Sequence, residues 1–384
     1  MEAAAKVKIG QVDGEAFPQD IQALREALIR QRQYTLSLYA DLPSPYWVPA
    51  RCPFLPIVNP PLWELGHIAW FAEFFCLRWR SDDVLGINTP SISPVADGLF
   101  NSQTVPHPAR WCNIYPERDA CLEYMQLSLD AVLDSLDTSD PSDRYRFQLA
   151  VGHEDMHAEA LAMTLVTLGQ PLPRCVPTRV PIAADCQDIS FQGGAMELGA
   201  STRVFQFDNE LPVFHQEVPP FSIASRSVTA TEFMAFVHSR EYFDDRLWSA
   251  EGREWRESVP VRRADMPTEF PAIHVNYFEA DAWCRWTGRR LPTESEWEFA
   301  ATHSTDFWDS TGGIWEWCAS AFVPHPGFEP HRYRDYSLPW FYTHQVLKGG
   351  SFVSSRRLRY PQYRNFYMKE RSDMFCGFRT CAVM

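Results

Sequence analysis

"VGHEDMHAEA", residues 151–160, places His153 and His157 four positions apart. It lies inside a longer run, "SDRYRFQLAVGHEDMHAEALAMTLVTLG" (142–169), whose apolar residues recur at helical spacing. Gly169 and the prolines beyond it give a stop signal. On a helix, positions i and i+4 share a face with Cβ atoms roughly 6 Å apart, so two imidazoles there can bind one cation. A pair is not yet a centre. A catalytic metal needs a third protein ligand and an open position.

The third candidate comes from "PPLWELGHIAWFAEFFCLRWRS" (60–81), which opens on prolines and is apolar on most sides, as a helix buried in a bundle would be. His67 sits in its middle among Leu65, Ile68, Ala69 and Trp70, where a histidine must find a partner. A metal shared with His153 and His157 would supply one, and Glu159 is a further candidate, as ligand or as orienting partner. Three neutral histidines suit Zn(II) and Fe(II) alike, and spacing does not choose between them. Two more amphipathic helices are predicted, over 118–137 and over 20–41 with Asp20 as N-cap. Together the four predict a helical bundle, a fold that houses metals among inward-facing side chains.

From residue 176 the grammar changes to short apolar runs broken by Gly, Pro and Trp, with two helix-like pieces, 229–237 and 277–288. The segment 174–190 reads as a linker. The expected fold class is therefore α plus α+β, with a helical metal-binding domain over 1–175 and a loop-rich α+β domain over 176–384.

A net charge of −14 argues against a general nucleic-acid partner. No apolar run of membrane-spanning length occurs, and "MEAAAKVKIGQVDGEAF" has no signal-peptide core. The ten cysteines form no CxxC pair, so they read as reduced thiols of a cytoplasmic protein.

The second half carries a resemblance. "FQGGAMELG", "PAIHVNYFEADAWCRWTGRRLPTESEWEFAA", "GGIWEWCASAF", "VLKGGSF", "RYPQYRNFY" and "GFRTC" follow in the order of the formylglycine-generating-enzyme fold, a C-type-lectin-like domain. "NPPLWELGHIAWF" followed by "HEDMHAEA" resembles the DinB-like metal bundle. The two-domain order is similar to the ergothioneine-biosynthesis sulfoxide synthases and their selenoneine-synthase sister branch, over roughly residues 20–384. The resemblance implies a non-haem Fe(II) site on His67, His153 and His157. It also implies O2 as co-substrate, and a sulfur or selenium donor joined to imidazole C2 of hercynine, the trimethylammonium betaine of histidine. It places a tyrosine pair, Tyr333 and Tyr336, one of which serves as proton or electron donor, and Asn365 with Phe366 and Tyr367 at the betaine. Trp63, Trp70, Phe71 and Trp340 join them as candidate substrate contacts, because a quaternary ammonium favours aromatic faces; so does Met156, which stands just before the second histidine of the helix pair, where family members often have glutamine. The active site is expected to lie where the two domains meet.

Departures from the family patterns matter. The formylglycine-generating enzyme needs cysteines soon after its "KGGS" element; "KGGSFVSSRRLRYPQYR" has none, so protein-cysteine oxidation is not expected. Synthases that take γ-glutamylcysteine carry more than one arginine for its carboxylates. Here "GLFNSQTVPHPARWCNIYP" offers Arg110 alone, beside Asn101, Ser102 and Gln103. That loop, and the endings "YRDYSLPWF" and "YRNFYMKERSDMFCGFRTC", look more like the selenoneine branch, whose donor is a selenosugar. The alternatives are a hercynine sulfoxide synthase using γ-glutamylcysteine or cysteine, a zinc-dependent DinB-type thiol transferase, and a non-catalytic lectin-like binder.

Overall fold

The computed structural model describes residues 16–383 apart from 87, 180, 183–184, 201–204, 261–269 and 312. Most of the N-terminal stretch weighed above as a signal peptide lies outside the described residues. The chain forms two compact units. One is helical, Ala16–Pro177 with Phe205; the other is mixed, built from residues 178–200 and Gln206 onward.

In the helical unit, α1 (Ile21–Leu38) starts where Asp20 accepts a hydrogen bond from the Ala23 N–H at 2.8 Å, a side-chain N-cap. In α2 (Pro61–Glu73) every residue is buried, which is what a helix apolar on all sides requires. It passes into a single wide π-helical turn, Phe74–Arg78. The expected helix therefore stops short of residue 81. It ends where Arg78 turns to form two bonds, 2.8 and 2.7 Å, with the Asp97 carboxylate. The short α3 (Ala96–Phe100) lies against α2, as do α4 (Arg118–Asp137) and α5 (Tyr145–Thr167). Arg32 of α1 holds Glu154 of α5 by two bonds, 2.9 and 3.2 Å, with both side chains buried.

The mixed unit runs β1 (Asp188–Phe191), β2 (Gly194–Leu198), β3 (Phe214–Val218), β4 (Phe221–Ala224), α6 (Ala230–Val237), α7 (Ala250–Ser258) and α8 (Tyr277–Trp286). It continues β5 (Arg289–Arg290), α9 (Glu294–His303), α10 (Thr305–Asp309), β6 (Trp315–Ala321), β7 (Gln345–Lys348), β8 (Asn365–Tyr367), β9 (Cys376–Phe378) and β10 (Cys381–Ala382). One sheet has the order β1-β4-β10-β5 and another β8-β7-β6-β9, with β2 and β3 forming a separate hairpin. Two expectations are corrected. The 174–190 linker ends inside strand β1, which pairs antiparallel with β4. Helices α7, α9 and α10 accompany the two expected helical pieces.

The motifs of this unit supply the poles of its buried ion pairs. Glu294 and Glu298, from "RLPTESEWEFA", meet Arg364 at 2.6 Å and Lys348 at 3.0 Å. Glu316, from "GGIWEW", receives Arg379 through two bonds of 3.0 Å and the Trp297 indole N–H at 2.7 Å. Removing one pole of such a pair strands the other in a low-dielectric interior, at a cost of about 3–5 kcal/mol. All ten cysteines are free thiols. Among the described residues no helix is long and apolar enough to cross a membrane.

Candidate metal centre and active-site residues

The face of α2 that carries His67 packs on the face of α5 that carries His153 and His157. One potential ligand atom from each histidine lies within 4.8 Å of the other two. Among the described residues this is the one such group of metal-ligating side chains. The first two imidazoles are buried and the third partly so.

Each ring is held by its neighbours. His67 Nδ1 lies 2.8 Å from the Phe100 carbonyl oxygen, so it donates there and leaves Nε2 as the lone-pair nitrogen. Gly66 makes that contact possible, because a Cβ there would fall 2.2 Å from the Phe100 ring. Trp63, one turn earlier, stacks on His67 with centroids 4.7 Å apart and planes 9° apart. Phe71 lies flat on His153. His157 Nδ1 is 2.5 Å from Glu64 Oε1. A carboxylate does hold a ligand candidate, therefore, but it is Glu64 and not Glu159, which lies two residues past His157 and so on another face of α5.

Burial pushes the His67 imidazolium pKa down to about 3, with the neighbouring His157 ring adding to the drop. Burial, then the two neighbouring imidazoles, drives that of His153 well below the ordinary value. Both rings are thus neutral near pH 7, the form that ligates a metal. Burial raises the Glu64 carboxyl, but His157, His67 and the Asn59 amide outweigh it and hold it below the usual range. Three neutral or carboxylate-oriented imidazoles suit a divalent cation at about 2.0–2.1 Å from nitrogen, with sites left for exogenous ligands.

In the mixed unit, Tyr333 precedes a 3-10 turn, Arg334–Tyr336, and its half-buried ring stacks on that of Tyr336 at 5.8 Å. The turn is tethered by Asp208, which accepts from the Ser337 hydroxyl and, at 3.4 Å, from the His331 N–H. Tyr336 is buried, and its hydroxyl is 3.1 Å from that of Tyr363. Burial, then Tyr363, keeps the Tyr336 phenol far above its ordinary pKa. The Phe366 ring meets Tyr336 at 5.7 Å and stacks on Phe322 at 4.0 Å. His344 bridges Phe366 and Trp340, at 5.8 and 5.2 Å. Asn365 Oδ1 accepts from the Phe366 N–H at 2.9 Å, and Tyr367 carries the Arg371 guanidinium over its ring at 4.6 Å. Tyr333, Tyr336, Phe366 and Trp340 thus form one aromatic cluster, with Asn365 and Tyr367 flanking Phe366 along β8.

The sulfatase-modifying factor enzyme 1-like domain family matches residues 179–306 and 302–383, more than half of the chain. The chain belongs to this family. The DinB superfamily matches residues 27–164, so the bundle read from the helical spacing of its segments is accounted for as well. The chain is similar to a protein named hercynine oxygenase from Mycolicibacterium smegmatis, at 28% identity over 84% of this chain and 91% of that protein. It is also similar to ergothioneine biosynthesis protein 1 of Schizosaccharomyces pombe, at 21% identity over 85% of this chain and 52% of that protein. The formylglycine-generating enzyme of Streptomyces coelicolor is 24% identical over 43% of this chain and 78% of its own length. The two-domain ergothioneine-biosynthesis resemblance and the expectation of an enzyme are borne out by these relatives.

The remaining site candidates of this family member lie in the helical unit. Trp70 is buried, and its indole N–H donates to Asp97 at 2.7 Å. Met156 is partly buried on α5 between the two candidate ligand histidines. Arg110 sits in a 3-10 turn, His107–Trp111. Its Nη1 donates to Asn59 Oδ1 at 2.7 Å, and its guanidinium lies 3.7 Å over the Trp63 ring. Asn101 Oδ1 caps its own loop by accepting from the Gln103 N–H at 2.9 Å. Reading the sequence passes over Glu64, Asn59, Asp208 and Tyr363. Only Glu64 carries a local signal, a carboxylate on an otherwise apolar, buried helix.

Proposed function

We propose that this protein is a non-haem Fe(II)- and O2-dependent enzyme that joins a selenium or sulfur donor to imidazole C2 of hercynine. The observation that carries the reading is the convergence of His67, His153 and His157 within 4.8 Å. The relatives named for hercynine and ergothioneine align along both units and support it. In the net reaction the hercynine C2–H bond and the donor Se–H or S–H bond break and a C–Se or C–S bond forms. Two electrons and two protons pass to O2, giving H2O2; where the product is a sulfoxide or selenoxide, the chalcogen gives up two electrons more and O2 ends as its oxygen and one water. Fe(II) bound at the three imidazoles would activate O2 and hold the two substrates side by side.

The chain's own residues divide the remaining work. His67 and His153, kept neutral by burial, leave their lone pairs for the metal. Tyr333 is the proposed proton and electron donor, from its Oη, with Tyr336 fixing the ring beside it. Asn365 and the aromatic cluster around Phe366 are the proposed betaine contacts, since a trimethylammonium group favours ring faces. Phe71 packs the His153 ring in place. A cytoplasmic setting agrees with ten free thiols.

For the donor we propose a selenosugar. Arg110, the one arginine of its loop, already serves Asn59 and Trp63 inside the protein, so a peptide with two free carboxylates finds no clamp there. The test is turnover of Fe(II)-loaded protein with hercynine and O2 against equal concentrations of selenosugar, γ-glutamylcysteine and cysteine. Fastest coupling with the selenosugar is expected. Faster coupling of either thiol would assign the protein to ergothioneine synthesis, and no coupling with any donor would overturn the reading.

A further inference from the structure

A chain of three side chains runs away from His157. Glu64, 4% exposed, stands in the first turn of α2, where the positive end of the helix favours a carboxylate. Its Oε1 is 2.5 Å from His157 Nδ1, and its Oε2 accepts from Asn59 Nδ2 at 2.7 Å. Asn59 Oδ1 accepts in turn from Arg110 Nη1 at 2.7 Å, while that guanidinium lies over Trp63. The asparagine amide fits in one orientation only. Its NH2 must face the carboxylate and its carbonyl the guanidinium. Both Glu64 oxygens are therefore committed, and the carboxylate cannot rotate without losing a bond.

We propose that Glu64 is a positioning residue for the metal ligand His157, holding it as the Nδ1–H tautomer that presents Nε2, and that Asn59 and Arg110 lock Glu64 in place. The inference rests on the metal reading of the three histidines given above. It makes the ligands unequal. His67 donates to a neutral carbonyl, whereas His157 donates to a carboxylate, which orients its ring more firmly and strengthens its bond to the cation. It also assigns Arg110 to the metal side of the site, acting through Asn59 and Glu64.

The test is titration of the metal-free full-length protein with Co(II) or Zn(II) alone, in competition with a chromophoric chelator, beside thermal melting without metal. Affinity should fall about 10–100-fold in E64A. It should fall less in E64Q, which keeps an acceptor of the same shape without the charge. N59A and R110A should weaken binding by smaller factors while hardly moving the metal-free melting temperature. If E64A does not fold, E64Q decides. Unchanged metal affinity in E64Q and E64A, with H157A abolishing binding, would overturn this inference and leave the metal reading standing. R110A with unaltered affinity and a raised KM for the donor would return Arg110 to the substrate. Failure of the unaltered protein to bind either cation would overturn the metal reading and this inference with it.

Discussion

The ring of Phe71 lies on that of His153 with 3.4 Å between centroids and 3° between planes. The stack fixes the direction in which a fully buried candidate ligand presents its nitrogen, from a residue one turn past His67 on the facing helix. Truncating Phe71 to Ala should open a cavity and destabilise the protein by about 3–5 kcal/mol. Metal affinity should drop as well, because the His153 ring is freed to rotate. Denaturant unfolding and metal titration measure the two effects. A stable F71A protein with full metal affinity would show that the stack is incidental.

A Cβ on Gly66 would run into the Phe100 ring, whose residue also supplies the carbonyl that receives His67 Nδ1. A Gly66→Ala change puts a methyl 2.2 Å from that buried ring, so the ring, or α3 that carries it, must shift. Overpacking of this kind costs about 1–3 kcal/mol. The displaced carbonyl would release His67, and metal binding should weaken along with stability. G66A behaving like the unaltered protein in both measurements would contradict the packing described.

How much of this was legible from sequence depended on how local the cause was. Helix α4 runs over the predicted 118–137, and the Asp20 cap forms as read, because capping and apolar spacing act within a few residues. Helix α7 was missed because it is nearly all polar and buries only Gly252, so it has no apolar stripe to detect. Helix α9 did carry a local signal, a capping box between Thr293 and Glu296, hidden inside a stretch noticed as a family motif. The site divides the same way. The spacing of His153 and His157 is local, whereas the bond from His157 to Glu64 spans 93 residues and the bond from Arg110 to Asn59 spans 51. No periodicity in the chain encodes pairings that only the assembled bundle creates.

Glu210 gives the mixed unit a pH signature. Burial pushes its carboxyl from 4.5 to about 8, with the nearby Glu298 adding to the rise and the Tyr360 hydroxyl, 2.6 and 2.8 Å from its two oxygens, and Lys348 opposing it. The folded state therefore holds this proton more tightly than the unfolded one. Its contribution to stability is present in full below about 4.5 and declines as pH rises toward 8. Glu210→Gln keeps a hydrogen-bonding amide and removes the titration, so its stability should fall less over that window. Parallel stability–pH curves for the two proteins would refute the assignment.

Replacing Tyr333 by Phe removes the proposed donor hydroxyl and keeps the ring stacked on Tyr336. Loss of a positioned proton donor lowers the rate by about 10²–10⁴-fold. The expected outcome is a drop in coupled product with metal affinity unchanged, measured by product formation per O2 consumed. Tyr336→Phe should act more through stability, since its hydroxyl is buried against Tyr363. A Y333F protein that couples at the full rate would remove Tyr333 from the chemistry.

Oxidative bond formation at imidazole C2 must remove the hydrogen on that carbon, so hercynine deuterated there reports on it. Protein loaded anaerobically with Fe(II) is mixed with the labelled betaine, a selenosugar and O2, and the products are resolved by mass spectrometry. The expected product is hercynine-derived, carries selenium, is free of the C2 deuterium, and forms only when O2 and the three histidines are all present. Retention of deuterium in the product, or equal product from the H67A protein, would contradict it.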